Sequence, residues 1–319
     1  MEGDIKKICI VGAGTMGHGL AQTFAQGGYQ VALFSRTQKT LDRASALISS
    51  SLDTMMEAGV VNKEQIQAAL GRITATTSLE EATKEADMAI ETVVEDKQAK
   101  QEIFTQLDTL CPPKTLLASN TTFLNIFDFV ATSRPDKVFI THWYAPPQII
   151  PLVDVVRGPL TDEANIKLVV QLLKKMGKKP VVFNRPVAGY AVSRIMIAFQ
   201  RELYYLLDND YLSPEDLDAA VIWGLALRMM VVGGVQRIDF GGLDLSVRGL
   251  ERASQSTPID YKPKKLLELV QQGHTGVKAG RGFYDYQGRS EAEVCHERDI
   301  RLLKLLKILQ ETDIAGPII

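Results

Sequence analysis

The stretch HWYAPPQIIPLVDVV, residues 142–156, holds one histidine and, twelve residues on, one aspartate, among residues that are mostly apolar or proline. The chain has four histidines, at positions 18, 142, 274 and 296. An imidazole gives and takes protons near neutral pH, which suits it to general acid–base work. A carboxylate on the second ring nitrogen fixes the tautomer and stabilises the imidazolium. His142 and Asp154 have the residue types for such a pair. Taken alone, they equally suit a buried turn and strand that carry two polar side chains.

A second chemistry lies near the N-terminus, in KKICIVGAGTMGHGLAQTFAQGGYQVALFSR. The apolar run 8–11 predicts a buried strand, and Gly12, Gly14 and Gly17 follow it as G-x-G-x-x-G, with Thr15 and Met16 inside the motif. An amphipathic helix then passes through Leu20, Phe24 and Ala25, stops at Gly27-Gly28, and gives way to a second strand at 31–34. Strand, motif, helix and strand in register make this a dinucleotide fingerprint and not merely a glycine-rich turn. The first glycine permits the tight turn, the second lets backbone approach a pyrophosphate, and the third lets helix and strand pack closely. The helix N-terminus supplies free N–H groups and a positive dipole end for phosphate.

The tip of the second strand selects the cofactor. NAD sites carry an acidic residue about 20 residues beyond the motif, on the ribose 2′-OH. Here the tip reads Ser35-Arg36-Thr37 with Lys39 close by, and nothing there is acidic. A hydroxyl and a guanidinium suit a 2′-phosphate, so the expectation is NADP ahead of NAD. The competing reading of Arg36 is a solvated residue or a stack on adenine.

The segments between these residues predict the scaffold. Residues 88–94 read as a strand ending at Glu95, and KQAKQEIFTQLDTLC as a helix with Ile103, Phe104 and Leu107 on one face. Residues 115–118 read as a strand, followed by the polar turn Ser119-Asn120-Thr121-Thr122. KVFITHW adds a strand ending at His142, and PLVDVVRG and KKPVVFN add two more. Strands that alternate with helices predict a mostly parallel, doubly wound sheet of the Rossmann type. Ligands bind beyond the carboxyl ends of such strands, where Glu95, residues 119–122 and His142 all fall.

The proline- and glycine-marked FNRPVAG, residues 183–189, sets a boundary: an α/β dinucleotide-binding domain over 1–186, and an all-helical domain over 187–319. AVSRIMIAFQRELYYLL is a long apolar helix, which must be buried on several sides. SPEDLDAAVIWGL begins a helix with Ser213 as N-cap, Pro214 at the first position and Asp216 in the opening turn. In GHTGVKAGRGFYDYQG, residues 273–288, Lys278 or Arg281 could meet an anion; a packed loop anchored by Phe283 and Tyr284 is the other reading. His274 and His296 read as surface residues, and His18 as a packing or water contact beside the motif. HERDIRLLKLLKILQE reads as a docked helix.

Composition narrows the class. In 319 residues, 45% are hydrophobic and the formal charge is −2, which gives no reason to expect nucleic acid or an anionic membrane as partner. Cys9, Cys111 and Cys295 lie far apart without CxxC spacing, so they read as reduced thiols of a cytoplasmic protein, and no metal site is expected. The N-terminal apolar run is too short for a signal peptide or a membrane span.

With these motifs in hand, the chain resembles the 3-hydroxyacyl-CoA dehydrogenase family, most of all the branch that holds lambda-crystallin and L-gulonate 3-dehydrogenase. The resemblance rests on VGAGTMGHGLAQTFAQGGY, ETVVED, ASNTT, HWYAPPQIIPLVDVV, VAGYAVSRI, LSPEDLDAAVIWGL, GGLD and GVKAGRGFYDY. It implies a proton exchange between His142 and a substrate 3-hydroxyl, hydride passing between C3 and the nicotinamide, and Asp154 where the family has a glutamate. One methylene shorter, Asp154 must lie closer to the histidine or couple through water. It implies Thr122 and Ser193 as substrate contacts, where the family has serine and asparagine, and Ala145 in place of an asparagine. Glu95 matches a glutamate near the nicotinamide and Lys100 a lysine on the following helix, and both join the cofactor set with Asn120. A first-turn acid for Glu95 and a solvated face for Lys100 are the plainer alternatives. The resemblance further implies a homodimer through the helical domain and a role in fatty acid metabolism. The implied substrate is a 3-hydroxyacyl-CoA or related 3-hydroxy acid. The alternatives are a free polar acid such as L-gulonate, or a weakly active crystallin-like nucleotide-binding protein.

Overall fold

Short apolar runs become the inner strands of one sheet. The computed structural model describes residues 5–241, 243 and 264–312. The chain divides into two units, Met1–Ala191 and Val192–Ile319. The first unit opens with β1 (Lys7–Val11), α1 (Gly17–Gln26), β2 (Gln30–Phe34), α2 (Gln38–Glu57), α3 (Lys63–Leu70), β3 (Ile73–Thr76) and α4 (Leu79–Thr83). It continues with β4 (Met88–Glu91), α5 (Lys97–Leu110), β5 (Leu116–Ser119), β6 (Val138–Trp143), β7 (Leu152–Arg157), α6 (Glu163–Lys175) and β8 (Lys179–Phe183). The strand order is β3-β2-β1-β4-β5-β6-β7-β8. The order reverses at β1, which pairs in parallel with both β2 and β4. The glycine motif leaves β1 at this switch point, where α/β sheets bind their ligands.

Both faces of the sheet are covered, so strands read as continuous apolar runs. Alternation along β1 shows the two layers. Ile8 and Ile10 pack with Leu20 and Phe24 of α1, whereas Cys9 and Val11 pack with Phe104 and Leu107 of α5.

The sheet is mostly parallel, as the sequence reading has it, and three details refine that reading. The sheet is parallel from β3 to β6, but β6 and β7 run antiparallel, and β8 runs parallel to β7. The loop between β6 and β7 is too short for a crossover, which needs a dozen or more residues and a covering helix, so the chain turns back on itself. Second, β4 ends at Glu91 and not near Glu95. The Thr92 hydroxyl donates to the Val11 and Gly12 carbonyls, and the Glu91 carboxylate accepts from the Val93 N–H, which together bend residues 92–94 out of the ladder. Third, the first unit runs through Ala191 because Tyr190 is buried in it, its hydroxyl on the Thr121 carbonyl at 3.0 Å.

The second unit is helical among its described residues. It holds most of α7 (Tyr190–Asp208), then α8 (Pro214–Ala219), a π-helical segment (Ala220–Ala226), α9 (Leu227–Gly241), α10 (Lys264–Gln271) and α11 (Glu291–Thr312). Ser213 caps α8, its hydroxyl accepting from the Asp216 N–H at 3.0 Å, with Pro214 in the first turn. The sequence reading buries α7 on several sides, yet Ile195 and Ile197 are exposed in this chain, as are Trp223 of the π-helical segment and Val235 and Phe240 of α9. The loop 273–288 is closed by bridges from Arg281 to Gly276 and Asp285, and Tyr284 donates to Asp218 at 2.7 Å. Of GGLD, Gly242 and Asp244 lie outside the described residues. Among the described residues, no helix is long and apolar enough to cross a membrane.

Candidate active site

The antiparallel pairing of β6 and β7 sets His142 opposite Asp154 in the ladder. Their side chains meet directly, Nδ1 to Oδ2 at 3.2 Å, so the shorter acid couples without a bridging water. Both are buried, at 5% and 1% exposure. The other ring nitrogen, Nε2, lies 3.1 Å from the Thr122 hydroxyl. An ionised carboxylate only accepts, so Nδ1 carries the proton of the neutral ring. Nε2 then presents its lone pair toward Thr122 and is the atom that can take a proton. Two tyrosines flank the ring. Tyr144 meets it edge-on at 4.6 Å between centroids and donates its hydroxyl to Asp154 Oδ2 at 2.6 Å. The Tyr190 ring lies tilted at 4.8 Å from the imidazole. Burial, then the negative charges of Glu95 and Asp154, push the Tyr190 phenol well above its ordinary pKa, so it stays neutral.

Thr122 is positioned by Glu95. The Glu95 Oε1 accepts from the Thr121 hydroxyl at 2.6 Å and from the N–H groups of Thr122 at 2.9 Å and Phe123 at 2.8 Å. Burial pushes this carboxyl up, but the Thr121 hydroxyl, the two N–H groups and the Lys100 ammonium outweigh it and leave the pKa below the ordinary range. The cap of α5 is Asp96, which accepts from Ala99 N–H at 2.8 Å, so Glu95 is free of that duty.

Lys100 departs from the plainer sequence reading, a solvated face: it is 1% exposed. Its ammonium sits 2.8 and 3.0 Å from the two oxygens of Glu91, itself fully buried, and 3.3 Å from Glu95 Oε2. Ser119 donates to Glu91 Oε2 at 2.6 Å. A buried charge must be paired and hydrogen-bonded to persist, and this cluster satisfies that on each side. Asn120 is also spoken for in part: its side-chain oxygen accepts from the Trp143 N–H at 2.8 Å and pins the end of β6 beside His142.

The glycine motif makes a cradle. Gly12 has φ +110°, and a Cβ there would meet Thr92 Oγ1 at 2.9 Å. A Cβ on Gly17 would stand 1.7 Å from the Gly12 carbonyl oxygen. Gly14 is different: a Cβ there would meet no protein atom within 4 Å, so its absence leaves room for a ligand and not for the fold. Met16, the N-cap residue of α1, makes no side-chain cap, and of the first-turn N–H groups that of His18 donates to the Gly14 carbonyl at 3.5 Å while those of Gly17 and Gly19 keep their capacity for phosphate. Thr15 is exposed beside them. These residues fit a dinucleotide pyrophosphate. His18 is neither a packing nor a water contact alone: its Nδ1 lies 2.8 Å from the Gly14 carbonyl, and burial lowers its pKa, so the neutral ring donates and steadies the motif. At the strand tip Ser35 is buried and Arg36 exposed, while Thr37 caps α2 by accepting from Thr40 N–H at 3.3 Å.

Ser193 lies on α7 in the second unit, as part of its first turns, and Lys278 and Arg281 are exposed in that unit. The structure thus brings together His142, Asp154 and Thr122 around one ring, and Glu95 and Lys100 around one buried cluster. Sequence reasoning missed Glu91, Tyr144 and Tyr190. Glu91 had a signal, a lone carboxylate closing the apolar run MAIE nine residues before a lysine. Tyr144 had one too, two residues beyond His142 and so on the same face of a strand.

Residues 7–186 match the profile described as 3-hydroxyacyl-CoA dehydrogenase, NAD binding domain, and residues 189–286 that described as 3-hydroxyacyl-CoA dehydrogenase, C-terminal domain. The chain is 34% identical over 290 residues to the probable 3-hydroxybutyryl-CoA dehydrogenase of Bacillus subtilis, covering 90% of this chain and 99% of that one. It is 30% identical over 309 residues to the 5-formyl-3-hydroxy-2-methylpyridine 4-carboxylate 5-dehydrogenase of Mesorhizobium japonicum, covering 96% and 99%. A crystal structure of a dehydrogenase of that same compound, described as an NAD+ dependent dismutase, superposes with a TM-score of 0.85 at 29% identity, over 96% of this chain and 99% of the other.

Proposed function

The chain belongs to the 3-hydroxyacyl-CoA dehydrogenase family, oxidoreductases that act on a CH–OH group with NAD, and from that premise we propose that it interconverts a 3-hydroxyacyl-CoA and its 3-oxo form. The observation that carries this reading is His142 held between Asp154 on Nδ1 and Thr122 on Nε2. In the oxidative direction Nε2 takes the proton of the substrate 3-hydroxyl, and Asp154 stabilises the imidazolium that forms. In the reductive direction the same nitrogen returns it. The Thr122 hydroxyl orients the substrate oxygen, and Glu95 holds the backbone of Thr122 in place. The nicotinamide supplies the hydride acceptor or donor when bound. Gly12, Gly14, Thr15, Met16 and Gly17 hold the pyrophosphate, with Glu95 and Asn120 on the nicotinamide side. Lys100 acts there indirectly, by fixing Glu91 and Glu95. A substrate contact for Ser193 rests on the family resemblance alone.

For the adenosine end, we favour NADP over NAD as the tighter cofactor, because the exposed Arg36 follows a strand tip without a carboxylate. The exposed apolar side chains of the second unit, Ile195, Ile197, Trp223 and Phe240 among them, support a homodimer through that unit. The bacterial relatives and the reduced-thiol reading support a cytoplasmic protein, and the hydroxybutyryl-CoA relatives a place in fatty acid metabolism.

A second reading, a free acid in place of a thioester, rests on one observation. The Mesorhizobium relative, matched over 96% of this chain, is named for a pyridine carboxylate and not a thioester. It also agrees with a place in the lambda-crystallin and L-gulonate branch. The thioester reading stays ahead because relatives of similar identity from several bacteria are named for 3-hydroxybutyryl-CoA. Purified protein assayed with NAD(H) and NADP(H) against acetoacetyl-CoA and a panel of free 3-hydroxy acids separates the two. Turnover of acetoacetyl-CoA is expected. Turnover of free acids alone would move the assignment to the second reading, and tight cofactor binding without turnover would leave a crystallin-like protein.

A further inference from the structure

Asp154 Oδ2 carries two loads. It receives the Tyr144 hydroxyl at 2.6 Å and faces His142 Nδ1 at 3.2 Å. The shorter contact is the one to tyrosine. The topology explains how three residues reach one oxygen. His142 and Asp154 are directly opposed in the antiparallel ladder. Tyr144 follows β6 two residues beyond His142, on the same face, and so stands diagonally from Asp154, a distance that an aromatic side chain spans. Its ring packs edge-on against the imidazole at 4.6 Å, so ring and hydroxyl grip both members of the pair.

We propose that Tyr144 is a positioning residue of the acid–base pair: its hydroxyl fixes the Asp154 carboxylate so that His142 Nδ1 keeps its proton and Nε2 stays the reactive nitrogen. The inference rests on the reading of His142 as the proton carrier. An aspartate has a terminal torsion that is broad and roughly two-fold, and nothing intrinsic to it holds one oxygen on Nδ1. A phenol O–H donated to a carboxylate is charge-assisted and short, which supplies that constraint. The other polar groups around the ring do not duplicate the role. Tyr190 spends its hydroxyl on the Thr121 carbonyl, Thr122 faces Nε2, and Glu95 is turned to the N–H groups of residues 122 and 123.

Tyr144→Phe keeps the ring against His142 and removes only the hydroxyl. We expect kcat to fall roughly tenfold, as for loss of one hydrogen bond to a charged group, with KM within about twofold. In an Asp154→Ala background the same substitution should change kcat by less than about twofold, because its acceptor has gone. Nitrogen-15 NMR of the histidine rings, with His142 identified by its loss in His142→Ala, reads the tautomer without substrate or cofactor. The neutral His142 ring should be Nδ1-protonated in the wild type and mixed in Tyr144→Phe. An unchanged tautomer, or an equal loss of kcat in both backgrounds, overturns the proposal and leaves Tyr144 a packing residue. If His142→Ala itself retains its turnover, the proton-carrier reading fails instead, whatever the NMR shows for Tyr144.

Discussion

His142 and Asp154 face each other across the antiparallel β6–β7 pair, and their side chains meet at 3.2 Å. Twelve residues of chain separate them, yet the ladder brings their Cβ atoms as close as neighbours across a sheet come, about 5 Å. That distance is why an aspartate suffices where the resemblance leads one to expect a glutamate. The pair belongs to the backbone register, so any slip of one residue between β6 and β7 would turn one partner to the opposite face.

Replacing His142 with alanine should lower kcat by about 10²–10⁴-fold, the usual contribution of a positioned acid–base group. The glycine cradle lies on other strands, so cofactor affinity, followed by fluorescence titration, should stay within about twofold. Turnover that survives within a few-fold would move proton transfer to another group.

Lys100→Met would strand the fully buried Glu91 carboxylate without its ammonium. Breaking one side of such a pair costs about 3–5 kcal/mol, more than a loss of surface charge could. Urea unfolding measures it directly. A loss below about 1 kcal/mol would mean that Glu91 takes up a proton cheaply and that the cluster is not what pins the loop of Thr122.

The doubly wound sheet was legible in the sequence because strand, glycine motif and helix follow one another with their own periodicities, and both cores bury the residues that those periods select. His142, Asp154 and the three motif glycines were legible for the same reason, once a motif frame surrounded them. The antiparallel turn at β6–β7 was not, since a buried strand reads the same in either direction. The burial of Lys100 was not legible either, because lysines usually lie in water. Its burial depends on Glu91, a contact made by the fold and not by neighbouring residues. Tyr144 escaped because a tyrosine in an apolar run reads as core, and its hydroxyl acquires meaning only when β7 lies alongside.

Lys178 should make stability depend on alkaline pH. Its ammonium is buried under the β6–β7 turn, donating to the Pro147 carbonyl at 2.6 Å and the Ile150 carbonyl at 3.0 Å. Burial lowers its pKa to about 8, from 10.5 for the free side chain. Between those values the unfolded chain binds more protons than the folded one, so stability rises with pH, by at most about 1.4 kcal/mol per unit. Wild type and Lys178→Met compared by urea unfolding at about pH 7, 9 and 10 cancel the other titrating groups. The difference should shift in favour of the wild type as pH rises. A flat difference would mean that the two carbonyls fully repay the burial of the charge.

The strand tip offers the sharpest test of cofactor choice. Ser35 follows β2 and is buried, and Arg36 is exposed just beyond it, with no carboxylate there to bind a ribose 2′-OH or repel a 2′-phosphate. A guanidinium–phosphate contact is charge-assisted, and NAD gives Arg36 no comparable anion. Such a bond contributes about 1.5–3 kcal/mol, so NADPH should bind roughly ten- to hundredfold more tightly than NADH. Arg36→Ala should erase most of that margin while leaving NADH affinity nearly unchanged. Ser35→Asp should reverse it, because a carboxylate repels the phosphate and accepts from the free ribose. Fluorescence titration of both cofactors against all three proteins decides the matter. Equal or tighter NADH binding by the wild type would assign Arg36 to solvent or to the adenine face, and the family's NAD would then be the cofactor of this chain without a preference for its phosphorylated form.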